Sequence, residues 1–234
     1  MKKLPTPNLP DLARLWGESR DELITSLIAY YSQDPVPWNY TNGVLGVKYA
    51  YKGLSSLEML LAVCEKEKIQ QARKSNSEII SLAAPLAFGR KIQVFDLPHK
   101  KFAFGKDYLS TYRVPFFFVE NGIIKLYFFQ TRKTSQLNDG QHAMIATILK
   151  KNLLDQEFFG METDIEYVDV GAMAGQQSRK LTVRSLADFT LWSDDRLEHR
   201  LAMIAGALDF IQDHELVRPR RRSTRLASTE MPLF

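Results

Sequence analysis

Four residues around one predicted hairpin have the types and spacing to meet an anion: Arg113, Gln130, Arg132 and Lys133. The last three close the run Ile123–Phe129, which is apolar on both faces apart from Lys125. A strand of that kind belongs in the middle of a sheet covered by helices. Polar groups at the end of such a strand are where α/β proteins often place their chemistry. Asn121-Gly122 suits a two-residue hairpin turn, because both residues accept positive φ. With that turn, Glu120 faces Ile123, Pro115 faces Phe128, and Arg113 faces Gln130. Side chains alternate between faces, so Gln130 and Arg132 share a face with Arg113 and Pro115. The competing reading is a strand end that simply surfaces into solvent.

A second group lies at the end of the chain. Arg218, Arg220, Arg221, Arg222 and Arg225 make a compact basic run interrupted by Pro219. The net charge is +4, and the segment 217–234, with its five Arg and one Glu, carries all of it. The body is therefore neutral, and the pI near 9.0 says nothing of a basic face on it. Guanidinium groups suit phosphate, and flexible basic arms bind nucleic acid by releasing counterions. A solubilising tail is the alternative. The composition predicts disorder here. The chain then ends in apolar residues, Met231, Leu233 and Phe234. This ending resembles the short peptide, commonly Gln-Leu-x-Leu-Phe, with which bacterial repair and replication proteins bind the sliding clamp. Leu233 and Phe234 match that pattern, Met231 stands in for Leu, and Glu230 replaces the usual Gln.

Other chemistries find little support. His99, His142, His199 and His214 lack metal-ligand spacing, and His142, near a helix start, is expected at the surface. No pattern suits nucleophilic catalysis, and no glycine-rich loop suits phosphate binding. Cys64, the single cysteine, reads as a core residue and points to a reducing compartment. No apolar run is long enough to cross a bilayer, and no secretion signal is evident, so a cytoplasmic location away from membranes is expected. No metal or other cofactor is expected.

The elements that must position these residues follow from periodicity. Helices are predicted over 11–16 and from the capping box Ser19-Arg20-Asp21-Glu22 to Gln33. Asn42-Gly43 suggests a small hairpin with 44–51 as one arm. An amphipathic helix is predicted over 55–74, with Leu57, Leu60, Leu61 and Cys64 inward. Strands are predicted over 91–97, 114–120 and 123–129, a helix over 139–152, and a strand over 164–171. Strand, helix and strand at this spacing imply a right-handed crossover, making the last strand parallel to 123–129. An edge strand at 181–184 and a long helix from Ser193 complete the body. Leu197, Leu201, Ile204, Leu208 and Ile211 on that helix suit a core stripe or, less simply, a heptad seam for a second copy of the chain. The predicted class is α/β: a mixed central sheet flanked by helices. An N-terminal helical piece with the small hairpin (1–53) precedes the core and long helix (54–216), and a basic tail (217–234) follows.

The order helix, three strands, helix, strand over 55–171, about half the chain, resembles the restriction-endonuclease-like, PD-(D/E)XK, nuclease fold. In that family the third core strand carries an acid-x-Lys pair, and a carboxylate on the neighbouring strand completes a Mg²⁺ site. The matching positions here are Gln130 and Arg132, and no carboxylate shares their face on the preceding strand. The resemblance thus implies a core that binds DNA without cutting it, in a DNA-associated accessory protein whose tail contacts DNA or a sliding clamp. Two alternatives stand beside it. One is a metal-dependent phosphodiesterase using acids such as Glu58, Asp96 or Asp107. The other is a homo-oligomeric scaffold built on the 197–211 seam.

Overall fold

The computed structural model describes residues 4–34, 38–98, 100–134, 137–172 and 176–217. The basic tail and its apolar ending, Arg218 to Phe234, lie outside the described residues, as does His99.

A five-stranded mixed sheet forms the centre. It contains β1 (Ile92–Asp96), β4 (Phe116–Glu120), β5 (Ile123–Gln130), β6 (Thr163–Asp169) and β7 (Thr182–Arg184), side by side in that order. Neighbouring pairs are antiparallel except β5 and β6, which run parallel. The hairpin between β4 and β5 forms as its sequence dictates. Asn121 and Gly122 have φ of 52° and 83°, and Glu120 pairs with Ile123. β5 lies centrally, and its residues from Leu126 to Gln130 are all buried.

Alternation along β5 divides the core in two. Leu126 and Phe128 face a layer made of α1 (Leu9–Arg14), α2 (Arg20–Ser32), α6 (Asp139–Leu149) and α8 (Asp194–Asp213). Tyr127 and Phe129 face the opposite layer of α3 (Thr41–Tyr51), α4 (Leu57–Glu65), α5 (Gln70–Ala83) and a 3₁₀ turn at Ala84–Ala87. The crossover helix α6 continues through a wider π turn, Lys150–Leu154, into one last turn, α7 (Asp155–Glu157), before β6. A separate hairpin of β2 (Lys101–Phe104) and β3 (Tyr108–Thr111) packs Phe102, Phe104 and Tyr108 into the first layer.

Two expectations are corrected, and the choice left open for the long helix is decided in favour of the core stripe. Asn42-Gly43 does not turn a hairpin: it lies inside α3. A Cβ on Gly43 would come within 2.8 Å of Asn76 Oδ1, whereas the bare backbone N–H donates to that oxygen at 3.1 Å. Glycine here permits close helix packing rather than a positive φ. The helix expected over 55–74 is two helices, broken at 66–69. Glu67 at the break accepts from Asn76 Nδ2 at 2.6 Å, and its carbonyl accepts from Arg73 at 3.0 Å, which folds α5 back toward α4. The 197–211 stripe is not a free seam. Its five apolar residues are buried in the protein's own core, where α8 packs on α2.

Candidate anion-binding end of the sheet

Strand directions bring five strand ends to one edge of the sheet. Asp96 pairs with Phe116, Phe116 with Tyr127, Gln130 with Asp169, and Asp169 with Thr182. The connections leaving β1, β5 and β6 and those entering β4 and β7 therefore lie together. The carboxyl ends of a parallel pair form the crevice in which open α/β sheets bind ligands.

Gln130 sits at the centre of this edge and is 5% exposed. Its Oε1 accepts from the Arg132 backbone N–H at 3.3 Å. Its Nε2 is buried and has no hydrogen-bond partner among the described residues. Asp169 stands beside it on β6, half-buried, its Oδ1 accepting from the Gly171 N–H at 2.7 Å. Burial pushes this carboxyl above its usual range, against the Gly171 hydrogen bond and the pull of Arg184, Arg14 and Arg179. A carboxylate does therefore reach the face of Gln130. It comes from the parallel neighbour rather than from β4.

Arg132 is half-exposed and turns to α1, where its Nη2 stands 2.5 Å from Asp11 Oδ1. Asp11 is buried, accepts from Asn8 Nδ2 at 2.8 Å, and accepts from the Tyr30 hydroxyl at 3.4 Å. Arg14, one turn on, donates to the Pro10 carbonyl at 2.7 Å. Burial and the nearby Arg132 pull the Arg14 guanidinium down to about 10. From the other layer, Arg179 donates to the carbonyls of Thr131 and Val170 at 2.8 and 2.9 Å and pairs with Glu78 at 3.0 Å. This guanidinium is almost wholly buried and ties the ends of β5 and β6 together. Lys133 follows, half-buried, its carbonyl accepting from the Ala172 N–H.

Arg113 reaches the same edge in a different way from that expected. The β4–β5 ladder stops at Phe116 and Tyr127, so Arg113 does not pair with Gln130. It is exposed, outside the strand, with φ of 62°. His142 is also corrected. It is buried on α6, and its Nδ1 lies 2.9 Å from the Tyr167 hydroxyl. Burial, with help from Arg184, pulls its imidazole down to about 4, so the ring is neutral at pH 7.

The acids considered for a metal do not converge. Glu58 is exposed on α4, Asp96 is held by Lys48 and Lys52 at 3.0 and 2.9 Å, and Asp107 lies in the β2–β3 turn. Among the described residues no three His, Cys, Asp or Glu side chains are grouped to hold a metal ion.

Comparison with protein-family models, curated proteins and solved structures finds no match for this chain.

Sequence reasoning missed Asp11, Arg14, Asp169 and Arg179. Asp169 was within reach, since it lies on a predicted strand expected to run parallel beside β5. The others come from elements whose docking only the tertiary structure reveals. At this edge three guanidinium groups, Arg14, Arg132 and Arg179, face three carboxyl groups, Asp11, Asp169 and Glu78, and Gln130 keeps a donor with no partner among the described residues. No helix among the described residues is long and apolar enough to cross a membrane.

Proposed function

We propose that this protein binds nucleic acid through this edge of its sheet and through its basic tail, and does not cleave it. One observation carries the reading. At the positions where a nuclease-like core would place its acid-x-Lys pair, the chain places Gln130 and Arg132, with Arg132 in an ion pair with Asp11 and Arg14 nearby. Guanidinium groups there repel a divalent cation and attract phosphate. With the separate β2–β3 hairpin set aside, the order α5, β1, β4, β5, α6, β6 and the parallel pairing of β5 with β6 support a nuclease-like core. The protein would then be a DNA-associated accessory factor. Its five tail arginines would contact phosphates, and Met231, Leu233 and Phe234 would dock on a sliding clamp.

The test is DNA binding by purified full-length protein, followed by anisotropy across a salt series with Mg²⁺ or EDTA. Metal-independent binding without cleavage is expected. Deleting residues 217–234 should flatten the salt dependence by a slope of up to about 4–5. Replacing Leu233 and Phe234 with Ala should abolish clamp binding and leave DNA affinity intact. Cleavage that EDTA and Asp169→Ala both abolish would make the protein a metal-dependent phosphodiesterase instead.

A further inference from the structure

Leu97, Pro98 and Lys100, which follow β1, and residues 111–114, which lead from β3 to β4, line a cleft of about 250 Å³ at the same edge of the sheet. Leu97, Tyr112 and Val114 form its apolar walls, Thr111 and Lys100 contribute polar groups, and Arg113 stands among the lining residues. Lys100 is engaged by Glu157 at 2.8 Å. Arg113 has no ion pair or hydrogen bond among the described residues, whereas Arg132 and Arg14, at the same end of the sheet, both have one. Its backbone is strained as well. A φ of 62° is a left-handed conformation that a long side chain rarely adopts. Strain of this kind persists at functional sites, where geometry matters more than local stability.

Beside the cleft runs an aromatic ladder. Phe95 and Phe117 are register partners on β1 and β4, stacked with centroids 5.1 Å apart, and Phe158 packs on Phe117 at 5.0 Å. Phe95 is 42% exposed. Leu97, just past the end of β1, packs against the same core layer as Phe117 and Phe158. An apolar slot, flat rings at its side and a guanidinium unpaired among the described residues at its edge match a ligand with a planar ring and an anionic group. A nucleotide is such a ligand. In a duplex the ring is hidden by pairing and stacking, whereas in a single strand it is available to aromatic side chains.

We infer that this cleft is a subsite for one unpaired nucleotide of a single strand, its base entering between Leu97, Tyr112 and Val114 and its phosphate on Arg113. The inference rests on the nucleic-acid reading above and deepens it: the preferred substrate is single-stranded.

Full-length protein should bind labelled oligothymidine more tightly than a duplex of the same length. Arg113→Gly removes the guanidinium and also relieves the left-handed backbone, so this variant folds at least as stably as the parent. It should lose about tenfold in affinity for oligothymidine, one lost phosphate contact, with little change for duplex. Leu97→Asn, which spoils the slot and keeps the charge, should act in the same direction. Lys74→Gln, a charge removed from the surface of α5, should do nothing. Thymidine monophosphate should shift the amide resonances of 112–114, and inorganic phosphate alone should not. Unchanged oligothymidine affinity in Arg113→Gly, or a parent that prefers duplex, would overturn the subsite and leave the nucleic-acid reading standing. A parent that binds neither strand form would overturn both.

Discussion

The Arg132 guanidinium stands 2.5 Å from the Asp11 carboxylate, so the charge that ends the central strand is answered by the first helix of the chain. The pair is asymmetric. Asp11 is 5% exposed at its side chain and Arg132 is 44% exposed. Removing the buried partner therefore costs little at Arg132, which water can solvate. Removing Arg132 leaves Asp11 with Asn8, Tyr30 and the more distant Arg14, at 4.0 Å.

Asp11→Ala is expected to destabilise by roughly 2–3 kcal/mol, mostly through the buried donors it strands. Arg132→Ala should cost about 1 kcal/mol or less, because solvent screens its exposed end. Urea unfolding of both single variants and the double variant would measure the coupling. A coupling indistinguishable from zero would mean that α1 is held by its apolar face alone.

Arg90 joins two strands that do not touch. It donates to both Glu120 oxygens at 2.7 Å and to Glu166 at 2.9 and 3.0 Å, and the Tyr51 hydroxyl also donates to Glu166. Arg90→Met would leave the two carboxylates without the cation that joins them and should cost about 3–5 kcal/mol. The pH dependence has a definite sign. Hydrogen bonds from Arg90 hold Glu120 down at about 2. Its contribution is therefore complete above the ordinary glutamate range and is lost as pH falls from there toward 2. Thermal melts of the parent between pH 5 and pH 2.5 should fall more steeply than those of Arg90→Met; parallel curves would show that the network contributes nothing to acid stability.

His142 titrates in the opposite sense from a salt-bridged histidine. Its imidazole is held down at about 4 by burial, while the unfolded chain takes up a proton near the ordinary value of about 6.5. Between those values the unfolded state binds the extra proton, so stability is full above that range and declines as pH falls through it. His142→Gln keeps a polar partner for the Tyr167 hydroxyl and cannot charge. Its stability should be nearly flat from pH 6.5 to 4.5, where the parent loses ground. An equal decline in both proteins would remove His142 as the cause.

The division between what was legible and what was not follows the range of the interactions. The β4–β5 hairpin was readable because its turn residues and two apolar arms are contiguous, and the parallel crossover because strand, helix and strand have the required spacing. α3 was misread because Asn-Gly carries a local turn signal, whereas Gly43 and Gly46 are there for α5. A Cβ on Gly46 would stand 2.6 Å from Ile80 Cδ1. The β2–β3 hairpin had a signal that went unused: Phe102, Phe104, Tyr108 and Ser110 alternate around Gly105, and all four are buried. At the candidate site, Gln130 and Arg132 were visible at the end of a two-sided apolar run. Asp11 and Arg179 were not, because a carboxylate or guanidinium docked from a distant element leaves no periodic trace.

Gln130 yields the sharpest prediction, since its role in the fold and its role in binding pull in opposite directions. Its Nε2 is buried with no partner among the described residues, and its one hydrogen bond, to the Arg132 N–H, is long at 3.3 Å. A buried unsatisfied amide costs more than that bond returns. Gln130→Met, similar in length and volume, should therefore raise stability by about 1 kcal/mol in urea unfolding. If the amide is kept for a phosphate, the same variant should bind DNA more weakly while melting higher. A variant less stable than the parent would mean that the Arg132 hydrogen bond outweighs the stranded donor. A more stable variant with undiminished DNA affinity would remove Gln130 from the binding edge and leave Arg113 and Arg132 to carry it.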